Sequence, residues 1–256
     1  MWITRRQSIV LGAAAFGGFA AGAGRAQDAA MAGDGYAVEG GEVLIHPVEH
    51  ASFVMALPGM VIYNDPVGGA EKYQGLPPPG LILVTHEHSD HFDPPTLAGL
   101  VGEGTRLLTN ASVHDKLPAD LKARATAIGN GETTTANAVT IDAIPAHNLT
   151  PDRMQYHPVG RDNGYLLTIG GKRFYIAGDT EGVPEMLALE DIHVAFVPMI
   201  LPYTMSVEEA VPAVAAFAPA FVYPYHYKGS DIDAFTRLLA ETGAPTKVVR
   251  AEWYPS

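Results

Sequence analysis

The stretch LILVTHEHSDHFDPP, residues 81–95, constrains the fold more than any other part of this chain. Its first four residues form a continuous apolar run, which is typical of a strand buried on both faces of a parallel sheet. Three histidines and two acidic residues follow at once, within residues 86–91. Because a buried strand fixes the base of a turn while the side chains of the turn project into a cleft, the stretch predicts a polar site at the edge of a buried sheet.

The polar residues of this turn are of the types that hold metal ions. In an extended segment, residues two apart point to the same side, so His86 and His88 can share one ion. Asp90 and His91 follow one step further on and suit a second ion. Imidazole and carboxylate groups are common ligands of divalent zinc, iron and manganese, and the chain has no cysteine. A solvated polar turn is the alternative, but it does not explain so dense a cluster of donors.

Three further candidate ligands each follow an apolar strand pattern. His147 follows TIDAIPA, Asp179 follows KRFYIAG, and His226 follows AFVYPY. Taken singly, each is explained as a capping aspartate or a satisfied buried histidine. Together with the first cluster, they indicate a metal site whose ligands come from several strand ends.

The chain from residue 41 to residue 256 predicts a single α/β domain. Short strand patterns dominate the first part of each half, and helical patterns alternate with strand patterns in the later part. Ser206 and Glu209 are spaced as a capping box at the start of the helical pattern SVEEAVPAVAAFA. No short-period internal repeat and no low-complexity linker divides this region, so we expect it to fold as one domain.

The first 40 residues predict a separate segment. Residues 1–26 contain the pair Arg5-Arg6, an apolar run rich in Ala, Gly and Phe, and the small residues Gly24 and Ala26, as in a signal peptide of the twin-arginine type. The apolar run is short and rich in glycine compared with a membrane-spanning helix. Residues 27–40 predict a flexible leader. We therefore expect export to the periplasm and no stable membrane insertion after cleavage.

Charge and composition exclude one class of partner. The chain is 47% hydrophobic and 17% charged, as in an ordinary globular protein, and its formal net charge is −12. No stretch is rich in Lys and Arg, so a general affinity for nucleic acid is not expected. A small-molecule substrate is expected instead, and an anionic one is compatible because a metal centre supplies its own positive charge. The oligomeric state stays open.

The order His-x-His-x-Asp-His, a lone histidine, Gly-Asp-Thr and a final histidine resembles the metallo-β-lactamase superfamily of metal-dependent hydrolases. The resemblance spans essentially all of residues 41–256. It implies an α/β fold, a four-layer αβ/βα sandwich of two mixed β-sheets flanked by helices, with the site at the sheet edges. It also implies two divalent ions, which we expect to be zinc on prevalence, with manganese or iron as alternatives. The implied ligands are His86, His88 and His147 for the first ion, Asp90, His91 and His226 for the second, and Asp179 as the bridge.

Weaker motifs indicate a branch of that superfamily. The segment DHFDP lacks the two glycines that lactamase, glyoxalase and many lactonase branches have after the Asp-His pair. VEHASFVM and VIYNDPVG are similar to the branch that contains L-ascorbate-6-phosphate lactonase and the N-acylphosphatidylethanolamine phospholipase D. These motifs contain His50 and Asp65, which are candidates for supporting the metal ligands, since a ligating histidine normally donates its second N–H to a partner. Packing alone is the alternative for both residues.

The resemblance implies cleavage of a small ester, lactone or phosphodiester by a hydroxide shared between two metal ions. Asp90 is the predicted catalytic residue, because it can orient the hydroxide and take up a proton for the leaving group. Arg161 and Tyr203 are candidate substrate-binding residues, the first for a phosphate or carboxylate and the second for an oxyanion. His157 also lies in a loop near the predicted site and is a further candidate for substrate selection.

Three other functions compete with this one. Hydrolysis of β-lactam antibiotics is disfavoured by the missing glycine pair, and a ribonuclease by the acidic charge. A non-catalytic periplasmic zinc-binding or carrier protein usually has mobile tracts of His, Asp and Glu. Here the candidate ligands are instead dispersed at strand ends, as a rigid open site requires.

Overall fold

A computed structural model describes residues 31–254. The signal peptide predicted over residues 1–26 lies outside the described residues, and so do residues 27–30 of the predicted leader. Among the residues that are described, no helix is long and apolar enough to cross a membrane.

Fourteen strands in the described region form two mixed sheets of seven strands each. One sheet has the order β1-β2-β3-β4-β5-β6-β7 and the other the order β14-β13-β12-β11-β10-β9-β8. In chain order the strands are β1 (Asp34–Val38), β2 (Gly41–Glu49), β3 (Ser52–Leu57), β4 (Met60–Asn64), β5 (Leu81–Leu83), β6 (Arg106–Thr109), β7 (Ala125–Ala127), β8 (Thr133–Ala136), β9 (Val139–Ala146), β10 (Asp162–Ile169), β11 (Lys172–Ile176), β12 (Ile192–Pro198), β13 (Phe221–Tyr225) and β14 (Lys247–Val248).

The two sheets are built on the same plan. Strands β1 to β4 pair antiparallel, and β4 to β7 pair parallel. In the second sheet β8 to β11 pair antiparallel, and β11 to β14 pair parallel. Each half is therefore an antiparallel meander followed by parallel strands, as the sequence pattern predicts.

Helices cover the outer face of each sheet. They are α1 (Pro94–Leu100), α2 (Ala111–Lys116), α3 (Ala119–Lys122), α4 (Pro184–Leu187), α5 (Val207–Phe217) and α6 (Ile232–Glu241), with a 3₁₀ helix at Ala70–Tyr73. Helix α1 starts with proline, which is well tolerated in a first turn. Helix α5 starts with the predicted capping box, in which the Ser206 hydroxyl accepts from the Glu209 N–H and the Glu209 carboxylate accepts from the Ser206 N–H.

Three hydrophobic clusters hold the layers together. Phe53 of β3 stacks on Phe196 of β12 with 4.1 Å between ring centroids, so the inner faces of the two sheets pack on each other. A second cluster joins α4, α5 and α6 to the second sheet, and a third joins α1, α2 and α3 to the first sheet. The layers therefore run helix, sheet, sheet, helix, and the predicted αβ/βα sandwich is confirmed.

The flexible leader predicted over residues 27–40 is wrong for its second half. Residues 34–38 form strand β1, which pairs antiparallel with β2. Only Tyr36 of this strand is buried, and its hydroxyl lies 2.7 Å from the hydroxyl of Tyr223 in the other sheet. Val38 packs partly against the core, and the other residues of β1 are small or polar, so the apolar alternation is too short to identify the strand from the sequence.

Candidate metal centre

The turn after β5 brings its polar residues to one edge of the first sheet. The backbone N–H of His91 donates to the carbonyl of His88 at 2.9 Å, which folds residues 88–91 back on themselves. The rings of His86 and His91 lie 4.0 Å apart, and those of His86 and His88 lie 4.6 Å apart. His86 and His91 are fully buried, whereas Asp90 is exposed, so the site opens to solvent on the side of Asp90.

Asp179 lies at the centre of the site. Gly178 precedes it with φ 66, and a side chain there would meet the Asn163 carbonyl at 2.9 Å, so only glycine lets the end of β11 pass so close to β10. The Asp179 carboxylate has Nε2 atoms of several histidines around it at 3.5–3.9 Å, namely those of His86, His91, His157 and His226. The structure thus places Asp179 between the two halves of the molecule, as a bridging ligand would be.

His157 lies in this cluster, and His147 does not. The rings of His86 and His88 are 4.9 and 4.7 Å from the ring of His157, and these three side chains form one group that could hold a metal ion. The His147 ring belongs to no such group within residues 31–254; its Nδ1 lies 3.2 Å from the Asn148 carbonyl. The geometry therefore disagrees with two assignments made from the sequence. One is His147 as a ligand of the first ion, and the other is His157 as a residue that selects the substrate.

The backbone of His147 is held by hydrogen bonds to the chain that follows Asp179. Its N–H donates to the Thr180 hydroxyl at 3.1 Å, and its carbonyl accepts from that hydroxyl and from the Glu181 N–H, both at 3.0 Å. These bonds fasten the end of β9 to the chain just after Asp179. The chain then runs through a loop that returns His157 to the site.

Hydrogen bonds through Nδ1 orient two histidines of the first turn. His91 Nδ1 lies 2.8 Å from Asp65 Oδ2, and a carboxylate only accepts, so this nitrogen carries the proton. The Thr85 hydroxyl donates to the same carboxylate at 2.7 Å and can therefore accept from Nδ1 of His86 at 3.0 Å. An imidazole with one proton on Nδ1 keeps a lone pair on Nε2, which is the atom that points into the site.

His157 is held in the same way, by Asp162. Its Nδ1 lies 3.0 Å from Asp162 Oδ2. The Nε2 atoms of His86, His91 and His157 and Oδ1 of Asp179 are buried and have no hydrogen-bond partner among the described residues. Buried polar atoms are normally paired. Three inward lone pairs beside an unpaired carboxylate oxygen fit a divalent metal ion, for which they are suitable ligands.

His86 and Asp179 are held in the deprotonated form that metal binding needs. Burial, followed by the neighbouring imidazoles, holds the pKa of His86 well below its usual value. Burial raises the pKa of the Asp179 carboxyl, but the surrounding imidazoles outweigh it and the pKa is lowered. His91 differs, since burial lowers its pKa but the carboxylates of Asp179 and Asp65 outweigh burial and raise that pKa to about 9. A metal ion that binds Nε2 of His91 must therefore displace a proton from it.

Asp90, His226 and His50 form another group that could hold a metal ion. Asp90 Oδ2 lies 3.2 Å from Nε2 of both histidines. Burial raises the pKa of Asp90, but the hydrogen bonds to His226 and His50 outweigh burial and hold it far below its usual range. His226 and His50 both adopt the left-handed backbone, with φ of 48° and 55°, and such strained residues often cluster at functional sites.

The two predicted substrate-binding residues lie beside the site. Arg161 donates to both Asp162 oxygens at 2.7 and 2.8 Å and to the Tyr156 carbonyl at 2.7 Å, so its guanidinium braces the aspartate that holds His157. Tyr203 is 43% exposed, and its ring packs edge-on against Tyr156 with 5.0 Å between centroids. Its carbonyl accepts from the Asn148 side chain at 2.8 Å, which ties the two loops around the site together.

Comparison with known proteins decides the family. The model of the beta-lactamase superfamily domain matches residues 44–226, a range that includes every candidate ligand named above. The chain belongs to this superfamily. The superfamily expected from the sequence is thus confirmed, while the narrower branch stays a prediction.

Relatives within this superfamily are metal-dependent hydrolases. A UPF0173 metal-dependent hydrolase of Symbiobacterium thermophilum is 32% identical over 67% of this chain and 78% of its own length. A UPF0173 metal-dependent hydrolase of Pyrococcus abyssi is 29% identical over 63% of this chain and 74% of its own. A solved structure from Parabacteroides distasonis, assigned as a metal-dependent hydrolase, is 38% identical with a TM-score of 0.77 over 85% of this chain and 97% of that one. This member of the superfamily is accordingly a metal-dependent hydrolase.

Proposed function

We propose that this hydrolase holds two divalent metal ions, which supply a hydroxide at neutral pH and polarise a carbonyl or phosphoryl oxygen, and that it cleaves a small ester, lactone or phosphodiester. The observation that carries the proposal is the set of unpaired, buried lone pairs on three histidines around the Asp179 carboxylate. We propose zinc as the metal, because imidazole and carboxylate donors suit it.

The side chains divide between the two ions. His86, His88 and His157 would hold the first, and His91, Asp90 and His226 would hold the second, with the Asp179 carboxylate available to both. His157 takes the place that the sequence assigns to His147, since the Nε2 of His157 lies 3.5 Å from Asp179 Oδ2. This assignment uses every buried unpaired Nε2 of the cluster.

Asp90 is the proposed catalytic residue. Its side chain is 48% exposed, so it faces the open side of the site where substrate arrives, and one of its oxygens is held by neighbouring histidines. These hydrogen bonds keep its pKa far below the usual range, so the carboxylate stays ionised and would orient the nucleophile by accepting a hydrogen bond from it. Tyr203 contributes to the rim that receives the substrate, and Arg161 acts by holding Asp162 in place.

The cellular location is part of the proposal. The pair Arg5-Arg6 followed by an apolar, glycine-rich run supports export to the periplasm by the twin-arginine route. Cell fractionation of the wild-type protein and of an Arg5→Lys/Arg6→Lys variant tests it. We expect the wild-type protein in the periplasm and the variant in the cytoplasm; wild-type protein that stays in the cytoplasm would refute this part.

Hydrolysis by the zinc-loaded protein tests the activity. A chromogenic phosphodiester and a simple lactone are offered side by side to the wild-type protein, to His88→Ala and to the control variant His114→Ala. His114 lies on helix α2 and belongs to none of the candidate ligand groups. We expect turnover of one substrate class, lost in His88→Ala and kept in His114→Ala.

The same assay separates this function from the carrier. Turnover that persists in His88→Ala would contradict the proposed site. No turnover together with zinc that exchanges freely would instead favour a non-catalytic zinc carrier. Nitrocefin, added as a third substrate, tests the β-lactam alternative.

A further inference from the structure

His50 is fixed beside the candidate ligands by its backbone. It occupies the turn between β2 and β3 with φ 55. Its N–H donates to the Trp253 carbonyl and its own carbonyl accepts from the His226 N–H, both at 3.0 Å. Its ring lies 4.0 Å from the His226 ring. These two backbone hydrogen bonds therefore hold the His50 imidazole against His226.

The partners of the two ring nitrogens determine where the proton of His50 lies. Nε2 is 3.2 Å from Asp90 Oδ2, and an ionised carboxylate only accepts, so Nε2 donates. Nδ1 of a neutral imidazole is then an acceptor, and the Tyr254 hydroxyl lies 2.9 Å from it. The Tyr254 oxygen accepts from the Tyr227 N–H at 3.0 Å, which leaves its own proton for His50.

This arrangement is the reverse of that in the buried cluster. There, His91 and His157 carry the proton on Nδ1 and present the Nε2 lone pair to the site. His226 Nε2 lies at the same 3.2 Å from Asp90 Oδ2, but it also lies 3.5 Å from Asp179, within the 3.5–3.9 Å range of the Nε2 atoms of the other buried ligands. His50 instead has a hydrogen-bond partner on each ring nitrogen and meets only the Asp90 carboxylate among the described residues, so it carries the proton on Nε2 and has no lone pair there. His50 therefore donates a hydrogen bond to Asp90. Its distance from Asp90 and His226 alone would also allow it to bind a metal ion itself.

We propose that Tyr254 and His50 form a positioning pair, which turns the Asp90 carboxylate so that one oxygen accepts from His50 and the other is free for the second metal ion. The inference rests on the two-ion function proposed above. Without the pair, the Asp90 side chain, which is 48% exposed, regains its rotamer freedom, and the second ion is bound less tightly. The first ion, held by His86, His88 and His157, does not depend on this pair.

Zinc titration against a competing chelator tests the pair without any substrate. The variants are Tyr254→Phe, which removes one hydroxyl, His50→Ala, and His50→Gln, whose amide keeps an N–H donor for Asp90. Tyr63→Phe is the matched control, because the Tyr63 hydroxyl donates to the Pro77 carbonyl at 2.9 Å away from the ligands. Mutation of a group that supports a metal ligand typically lowers metal affinity by about 10- to 100-fold.

We expect Tyr254→Phe and His50→Ala to lower the affinity for the second ion only, by about tenfold or more. His50→Gln should recover part of that loss, and Tyr63→Phe should match the wild-type protein. Equal affinities for the second ion in wild type, Tyr254→Phe and His50→Ala would overturn the inference.

Two further results would also overturn it, and they are distinguishable. If His50→Ala abolishes binding of the second ion while Tyr254→Phe has no effect, His50 is a direct ligand and not a donor. If the wild-type protein itself takes up fewer than two ions, the two-ion function fails together with this inference, and the variants are not needed to see it. Should His50→Ala not fold, Tyr254→Phe and His50→Gln still decide the outcome.

Discussion

The two halves of the molecule contribute to the site in different ways. The first sheet supplies four candidate ligands from a single turn, residues 86–91, directly after the buried strand β5. The second sheet supplies three from separate places: His157 before β10, Asp179 after β11 and His226 after β13. The sheets share one plan of strands, yet one half concentrates its ligands and the other disperses them.

The difference shows that local sequence determines which ligands meet in the first half, whereas loops determine it in the second half. Within one turn, spacing alone sets which side chains can meet. Between distant strand ends, a loop decides which histidine returns to the site, and here the loop after β9 returns His157 and leaves His147 behind.

The largest effect is expected at Asp179, the residue that faces both sets of histidines. Asp179→Ala removes the bridging carboxylate and leaves the surrounding imidazoles to repel each other when protonated. Metal-ion catalysis supplies several kcal/mol, and about 1.4 kcal/mol corresponds to tenfold in rate, so turnover should fall by roughly 1000-fold or more. Metal content by elemental analysis and kcat on the accepted substrate measure it; a variant with two tightly held ions and near wild-type turnover would contradict the bridge.

The comparison of His157→Ala with His147→Ala tests the dispersed half most sharply. His157→Ala should lose the first ion and lower turnover by at least about 100-fold, since it removes a direct ligand and not only a supporting group. His147→Ala should keep both ions, because the role of that residue lies in its backbone hydrogen bonds. The reverse pattern would restore the assignment made from the sequence.

Variants of Asp65 and Asp162 test whether the candidate ligand histidines of the two halves are supported in the same way. Each accepts from Nδ1 of a candidate ligand, Asp65 from His91 at 2.8 Å and Asp162 from His157 at 3.0 Å. Asp65→Asn and Asp162→Asn should each lower zinc affinity by about 10- to 100-fold, Asp65→Asn for the second ion and Asp162→Asn for the first. Chelator competition measures both. A loss in only one variant would mean that one half holds its ligands without such support.

The smallest effect is expected at the ion pair that holds the loop of His157. Arg153 donates to both Glu209 oxygens at 2.6 and 2.8 Å, and this hydrogen bonding lowers the pKa of Glu209. Glu209→Gln keeps the capping box but should lower the free energy of unfolding at pH 7 by about 1 kcal/mol or less. A carboxyl whose pKa is lowered on folding stabilises above its unfolded pKa, and the benefit is lost as the pH falls through the folded pKa.

Urea unfolding of both proteins across pH 3–7 measures this contribution. The difference in unfolding free energy between wild type and Glu209→Gln should shrink as the solution is acidified below about pH 4. A difference that grows on acidification would contradict the ion-pair explanation.

Much of the fold was predictable because its strands and helices carry strong local patterns. The buried run at β5, the proline start of α1 and the capping box of α5 each act within a few residues. Strand β1 was not predictable, since only Tyr36 and, in part, Val38 pack against the core. Its place depends on pairing with β2 and on the distant Tyr223.

The site was predictable in the turn and only in part elsewhere. His147 matches the rule that ligands follow strands, but in the described part of the chain its ring joins none of the candidate ligand groups, and its backbone fastens the chain after Asp179. One signal could have indicated His157: it stands shortly before the adjacent charges of Arg161 and Asp162 at the start of a buried strand. An aspartate there is a partner for a ligating histidine.

Anomalous diffraction from crystals of the zinc-loaded protein would locate the metal ions directly. We expect two zinc peaks about 3.5–4 Å apart, one of them about 2.0–2.1 Å from Nε2 of His157, with Asp179 contacting both. A first zinc bound by His147 in place of His157, or a single peak away from Asp179, would contradict this arrangement.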